Sequence, residues 1–256
     1  MNEASKKKAL VTGGGSGIGL EMARLLAARG YRVAICGRSR EKLDRAVGDS
    51  PGLLAIRCDV TQERDRAALL AEAEGELGGL DLLVNNAGIV RRFLFSKTTD
   101  LEARITEEWR TNYLAPVLLS RLFLPLLAAR KGTIANVTSG LAYVPLYVEP
   151  NYCAMKAALS SMTRSMRLET KGLGVRFVEI AYPAVDTPFQ GGQAPSYAIK
   201  PDRAAAMAVA GLERGEEEVR VGMARTMYRM SRIAPAMITR MINRAVPDNA
   251  EELLPD

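Results

Sequence analysis

The stretch VTGGGSGIG, residues 11–19, joins an apolar run, KKALVTGG, to a helical pattern, GIGLEMARLLAARG. The run reads as a short buried strand. After it, Ile18, Met22, Leu25 and Leu26 recur at helical spacing, and Gly30 stops the pattern. A glycine cluster between a strand and a helix lets the chain turn tightly and brings backbone N–H groups close to a phosphate. The partial positive charge of the helix N-terminus stands behind them. Within the cluster, Gly13, Ser16, Gly17, Ile18 and Gly19 are the expected contacts of a nucleotide.

Outward from this loop, apolar runs alternate with helical patterns. YRVAIC, LLAIRCDV, LDLLVNNAG, GTIANVTS and GVRFVEIAYP read as strands. REKLDRAVGD, ERDRAALLAEAEGEL, the long TEEWRTNYLAPVLLSRLFLPLLAAR and the stretch after Pro150 read as helices, the long one opened by Thr106 as N-cap. Strands that are continuously apolar, alternating with helices, imply a parallel sheet covered on both faces. The expected fold is α/β: a single doubly wound, Rossmann-type sheet over residues 1–222, followed by a C-terminal helical extension over 223–256.

The 256 residues are 48% hydrophobic, enough for one large core. No run approaches the length of a membrane-spanning segment, and the apolar stretch after the N-terminal lysines is too short for a signal peptide. A cytoplasmic protein is expected. Cys36, Cys58 and Cys153 form no CxxC pair, and without histidine they complete no common zinc set, so no metal is expected. The absence of histidine also excludes Ser-His-Asp and Cys-His nucleophiles, leaving Asp/Glu, Lys, Tyr and Cys for proton transfer. Of the net +6, five charges come from Arg225, Arg229, Arg232, Arg240 and Arg244, in a segment without acids. The remainder is close to neutral, which argues against nucleic acid as a partner.

The second strand ends in ICGRSR. Gly37 stands where an acid would meet a free ribose 2′-hydroxyl, and Arg38 and Arg40 follow. A guanidinium suits a 2′-phosphate, so NADP(H) is expected over NAD(H), with Arg38 as the contact. Glu41 either takes the ribose instead or faces the N-terminus of its own helix. Asp59, followed by Val60, either accepts from the adenine amino group or serves as the cap or turn residue before the next helix.

TGGGSGIG, NNAG (85–88), Asn112, TSG (138–140) and YCAMK (152–156) occur together in this order, with Ser139 thirteen residues before Tyr152. Jointly they resemble the short-chain dehydrogenase/reductase family, in its shorter branch, over about residues 7–222. SGLAYVP, YCAMKAAL, PAVDT and GLERGEEEVRVG further resemble a bacterial group labelled after D-alanylation of teichoic acids. The resemblance implies that Tyr152 is the general acid/base, Ser139 holds the substrate oxygen, and Lys156 binds the nicotinamide ribose. It implies that Asn112 anchors a water leading from Lys156; its plain alternative is a polar residue beside the Pro116 irregularity. Asn86, Ala87 and Gly88 would leave room for the adenosine ribose. Thr187, in YPAVDT, would bind the carboxamide, although Ala184 stands where the family has glycine. The physical case for the tyrosine is electrostatic. A lysine at i+4 about 4 Å away contributes about 4 kcal/mol at an effective dielectric near 20, which lowers a tyrosine pKa by roughly three units. Cys153 reads as a packed small residue.

LAYVPLY (141–147) is expected to line an apolar substrate pocket through Leu141 and Tyr147, and the Gly/Pro-rich PFQGGQAPSYAIK (188–200) to form a lid. Arg91 is a candidate for an acidic substrate group at the rim. In the extension, Met223, Met227, Met230, Ala234, Met237 and Met241 form a stripe among arginines, broken at Pro235. Residues 223–244 fit packing on this or a sister subunit, peripheral contact with an anionic membrane, or another protein's helix. The expected function is hydride transfer between nicotinamide and a small, largely apolar carbonyl/alcohol substrate, by a homodimer or homotetramer. The rivals are a non-catalytic dinucleotide-binding redox sensor and a membrane-associated lipid reductase.

Overall fold

The computed structural model describes residues 6–192 and 194–246. Residues 1–5 and 247–256, the outer ends of the two expected segments, and residue 193 of the expected lid lie outside the described residues. Strands and helices alternate from the start. In order they are β1 (Lys8–Thr12), α1 (Gly17–Ala28), β2 (Arg32–Gly37), α2 (Arg40–Gly48), β3 (Leu53–Arg57), α3 (Glu63–Leu77) and β4 (Leu82–Asn85). Then follow α4 (Leu101–Trp109), α5 (Ala115–Ala128), β5 (Thr133–Ser139), α6 (Pro150–Glu169), β6 (Arg176–Tyr182), α7 (Pro201–Glu213) and β7 (Glu218–Arg220). The extension folds as α8 (Met223–Ile233) and α9 (Pro235–Asn243), with the break at the proline as expected.

All seven strands are parallel, in the order β3-β2-β1-β4-β5-β6-β7. Alternate residues of the buried strands serve opposite faces. Ala9, Val11, Val33 and Ile35 meet Met22 and Leu26 of α1 and Ala204 and Val209 of α7. Leu10, Ala34 and Leu83 meet Leu69 of α3 and Leu119, Phe123 and Leu127 of α5. The order reverses between β1 and β4, and the crevice beyond their carboxyl ends is where ligands of such sheets bind.

The long helix differs from the sequence reading in two ways. It begins at Leu101, not near Thr106: Asp100 is its N-cap residue and pairs with Arg104 at 2.6 Å. Residues 110–114 then form a π turn before α5. Pro116 has no N–H, so the Asn112 carbonyl loses its i+4 donor at this point. Taken through the turn, Leu101–Ala128 is one helix long and apolar enough, by length and composition, to cross a membrane. Here its α5 half covers the sheet with Leu119, Phe123 and Leu127 buried.

Half of the methionine stripe docks on the same chain. Met227 and Ile238 are buried with Val144. A Cβ on Gly140, next to Ser139, would lie 2.6 Å from Met227 Sδ, so α8 packs directly on the turn after β5. Arg220 lies 3.5 Å from the Tyr228 ring centroid, and Asn243 donates to the Pro145 carbonyl at 2.9 Å. The outer residues Ile233, Met237 and Met241 remain exposed.

Candidate active site

The glycine loop is tied to the end of β4. Thr12 Oγ1 accepts from the Asn86 and Ala87 N–H groups, both at 3.0 Å, and Asn86 Nδ2 donates to the Thr12 carbonyl at 2.9 Å. Gly13 (φ 65°) and Gly17 (φ 56°) adopt left-handed backbone. A Cβ on Gly13 would lie 2.9 Å from Ala87 Cα, and one on Gly19 2.4 Å from Asn86 Nδ2 and 2.5 Å from the Gly13 carbonyl. Thr187 backs onto Gly17, where a Cβ would meet its own at 3.3 Å. Helix α1 opens with no acid in its first turn, and the Ser16 hydroxyl makes no capping bond. This cradle fits the phosphates of a dinucleotide: side chains are kept out of it and the helix N-terminus faces it.

At the end of β2, Ser39 caps α2 and accepts from the Lys42 N–H at 3.2 Å. Arg40 pairs with Asp44 and Glu41 with Arg45, each at 2.9 Å on the helix surface, so neither turns to the cleft. Arg38 lines the cleft, is exposed, and makes no ion pair among the described residues. Asp59 also lines it. Its Oδ1 accepts from the Thr61 N–H at 2.9 Å and hydroxyl at 2.8 Å, so the turn role is real, while the N-cap of α3 is Gln62. Val60 lines the same wall. Cys36 and Cys58 come together below it, and contact with Cys58, then burial, holds the Cys36 thiol well above its usual range.

The catalytic candidates converge at the other end of the same cavity, which measures about 1060 Å³ and is lined by all the expected cofactor residues. Ser139 ends β5, and its hydroxyl accepts from the Leu141 N–H at 3.1 Å. Tyr152 and Lys156 lie one turn apart on α6, both buried. Burial and then the Glu149 carboxylate push the Tyr152 phenol up, against a hydrogen bond from Ser139. The expected depression by Lys156 is therefore not found in the protein alone. The ammonium sits 5.6 Å from the Tyr152 ring centroid and donates instead to the Val137 carbonyl at 2.9 Å. Its own pKa is lowered to about 8 by burial, with Glu108 opposing.

Asn112 is fully buried behind the cavity wall rather than part of it. Its Nδ2 donates to the Ile89 carbonyl at 2.8 Å and its Oδ1 accepts from the Ile89 N–H at 2.9 Å. Its side chain thus clamps the 88–89 loop, and Pro116 removes the i+4 donor of its backbone carbonyl. One turn earlier Glu108, unforeseen from sequence, accepts from the Arg91 N–H at 3.0 Å. Burial raises its carboxyl to about 7, against hydrogen bonds from the Arg91 backbone and Asn151.

Leu141 lines the cavity; Tyr147, expected beside it, does not. Asn243 accepts from the Tyr147 N–H at 2.9 Å, which turns the ring outward, 51% exposed, while Leu146 and Val148 face the cavity. Arg91 reaches the rim, but its guanidinium is held by Glu107 through bonds of 2.9 and 2.8 Å. The neighbouring Arg92 is the arginine that points inward. The lid segment supplies Phe189, 5.8 Å from the Tyr152 ring centroid, and Tyr197; the extension supplies Met223, Met227 and Ile242. The sequence reading offers 188–200 as a covering segment but singles out neither Phe189 nor Tyr197, and it does not bring the extension to the pocket, since a periodic helix face does not tell what it packs on.

The chain is similar to known proteins in sequence and in fold. A family model described as short chain dehydrogenase matches residues 7–197. The Bacillus subtilis protein called uncharacterized oxidoreductase DltE is 44% identical over 179 residues, which are 70% of this chain and 71% of that protein. A short chain dehydrogenase from Burkholderia cenocepacia, solved in complex with NADP, is similar with a TM-score of 0.82 and 29% identity, over 93% of this chain and 98% of that one. A 3-ketoacyl-(acyl-carrier-protein) reductase from Brucella melitensis, complexed with NADH, gives 0.73 and 28%, over 80% and 90%.

Proposed function

The chain belongs to the short chain dehydrogenase family, and from that premise we propose that it is an NADP(H)-dependent oxidoreductase interconverting a largely apolar carbonyl compound and its alcohol. The observation that carries this reading is the convergence of Ser139, Tyr152 and Lys156 at one end of a cleft whose other end is the glycine cradle. When bound there, the nicotinamide gives up or takes up the hydride. Gly13, Ser16, Gly17, Ile18 and Gly19 would hold the phosphates; Asp59, Val60, Asn86, Ala87 and Gly88 the adenosine; Lys156 and Thr187 the nicotinamide half.

The chain's own residues then manage the oxygen and its proton. The Ser139 hydroxyl, at the carboxyl end of β5, holds the carbonyl oxygen. Tyr152 gives that oxygen a proton in reduction and accepts one in the reverse sense. A phenol pushed up by burial stays protonated through neutral pH, which favours the acid role. Lys156 keeps a positive charge beside it up to about pH 8, set by its own lowered pKa. Phe189 and the apolar wall exclude water from the exchange. The screening experiment is NADPH oxidation against ketones, aldehydes and β-oxoacyl thioesters.

The two solved relatives are complexed with NADP and with NADH, which supports a nicotinamide dinucleotide. The preference for NADP(H) rests on Arg38, whose charge is not taken up by a neighbouring acid. Arg38→Asp is expected to lower kcat/KM for NADPH about tenfold or more relative to NADH. An unchanged NADPH:NADH ratio contradicts the assignment.

A homodimer or homotetramer through the long helices remains our reading of the assembly, with Ile105 and Trp109 of α4 and Leu168 of α6 partly or largely exposed. One observation favours a second, more specialised reading, a reductase attached peripherally to membranes: exposed Ile233, Met237 and Met241 share the extension with five exposed arginines. Flotation with anionic liposomes, lost at high salt and on removal of residues 223–256, is the expected result on that reading. No salt-sensitive flotation ends it.

A further inference from the structure

We propose that the pair formed by half-buried Arg92 and buried Glu149, joined to Gln190 of the 188–200 segment, is a specificity determinant that closes the substrate end of the cleft to anionic carbonyl compounds. The inference rests on the reading of this cleft as the substrate site. Arg92 Nε donates to Glu149 Oε1 at 2.8 Å, and Arg92 Nη2 donates to Gln190 Oε1 at 2.9 Å. Both ionic side chains are withdrawn from solvent, with 21% of the Arg92 side chain and 8% of that of Glu149 exposed. All three residues line the cavity.

Each comes from a different segment of the chain. Arg92 belongs to the loop after β4, anchored on either side by Arg91 on Glu108 and by the Phe93 N–H, which donates to the Val148 carbonyl at 3.0 Å. Glu149 is the N-cap residue of α6, three residues before Tyr152. Gln190 lies in the short turn 188–190 that opens the lid. One guanidinium therefore ties the lid to the helix that carries the acid/base residue.

Charge decides what this end accepts. The surrounding wall is apolar: Leu141, Leu146, Val148, Phe189 and Met227. Burial raises the Tyr152 and Tyr197 phenols, and the Glu149 carboxylate adds to the shift at both. A carboxylate on the substrate would approach Glu149 as a like charge, while Arg92 already has an acid on its guanidinium. Like-charge approach in a poorly hydrated site is strongly unfavourable, and specificity is commonly built from such repulsion. A neutral substrate meets only the apolar wall and the Gln190 amide. Arg91, which the sequence offers for an acidic group, is neutralised by Glu107 at the rim.

The test uses the full chain with NADPH present and two matched neutral and anionic probes, octanamide and octanoate. Calorimetric affinities are compared for the wild type, Glu149→Gln and the double variant Glu149→Gln/Arg92→Met. The wild type is expected to prefer octanamide. Glu149→Gln takes the carboxylate charge off the guanidinium and is expected to shift the ratio toward octanoate by about tenfold or more, and the double variant to return it. The double variant carries no unpaired charge, so a folding defect from an orphaned guanidinium is separated from the effect on selectivity. A ratio unchanged in Glu149→Gln overturns the inference, as does binding of neither probe to any of the three. Because the readout is binding, a protein that turns over no carbonyl compound would refute the proposed activity while leaving this ratio measurable.

Discussion

Replacing Tyr152 with phenylalanine is expected to lower kcat/KM for carbonyl reduction by about 10³-fold, the scale of a lost general acid. NADPH affinity should stay within about twofold, since the ring and its packing are retained. The change removes one oxygen. The phenyl ring still packs beside Phe189, 5.8 Å between centroids, and Ser139 and Lys156 keep their bonds to Leu141 and Val137. Loss of cofactor binding along with turnover would mean that the phenol is structural. Little loss of turnover would mean that another group supplies the proton.

The second large effect has two parts of opposite sign. Lys156→Met is expected to cut turnover by about 10²-fold or more, by removing the cation beside the phenol and a cofactor contact. In the cofactor-free protein it should raise stability. Burial lowers the Lys156 pKa from 10.5 to about 8, so at neutral pH the fold carries a charged group it disfavours, at a cost of about 3 kcal/mol. The sign follows from proton counts. Between about pH 8 and 10.5 the unfolded chain holds the lysine proton and the folded chain does not, so the penalty is complete below about 8 and fades as pH rises toward 10.5. Leaving the Val137 carbonyl without its donor offsets about 1 kcal/mol. Urea unfolding of both proteins at neutral pH and near pH 10.5 checks this. A variant less stable than wild type at neutral pH contradicts the assigned burial cost.

The parts of the fold legible in the sequence were those with a strong period. The runs of β1, β4, β5 and β6, buried throughout or at all but the first residue, and the glycines that a Cβ would block, needed no tertiary information. β7 was missed because three residues carry no period, and the start of α4 because Thr106 followed by two glutamates imitates a helix opening inside a helix already begun at Leu101. The π turn left one local trace, Pro116 four residues after Asn112.

At the site, sequence order named the residues but not their directions. Arg91 and Arg92 are adjacent and chemically alike, and the turn fixed by Glu108 and Val148 sends one to the rim and the other inward. Tyr147 looked like pocket lining, and contact with α9 turns it out. The i+4 spacing of Tyr152 and Lys156 gave a charge effect of the right size in isolation. The opposing desolvation comes from burial of the phenol, with Phe189 packed 5.8 Å from its ring, and i+4 spacing carries no information about burial.

These elements make one claim: the cleft between the glycine loop and Tyr152 passes hydride to a carbonyl carbon while Tyr152 supplies the proton. The most direct measurement is isotope transfer. NADPH deuterated at the nicotinamide C4, incubated with the wild-type protein and a panel of neutral ketones and aldehydes, should deliver deuterium to the carbinol carbon of the product, and Tyr152→Phe should slow that transfer by about 10³-fold while still binding the cofactor. Tight NADPH binding by the wild type with no deuterium in any product would contradict the account and favour a dinucleotide sensor.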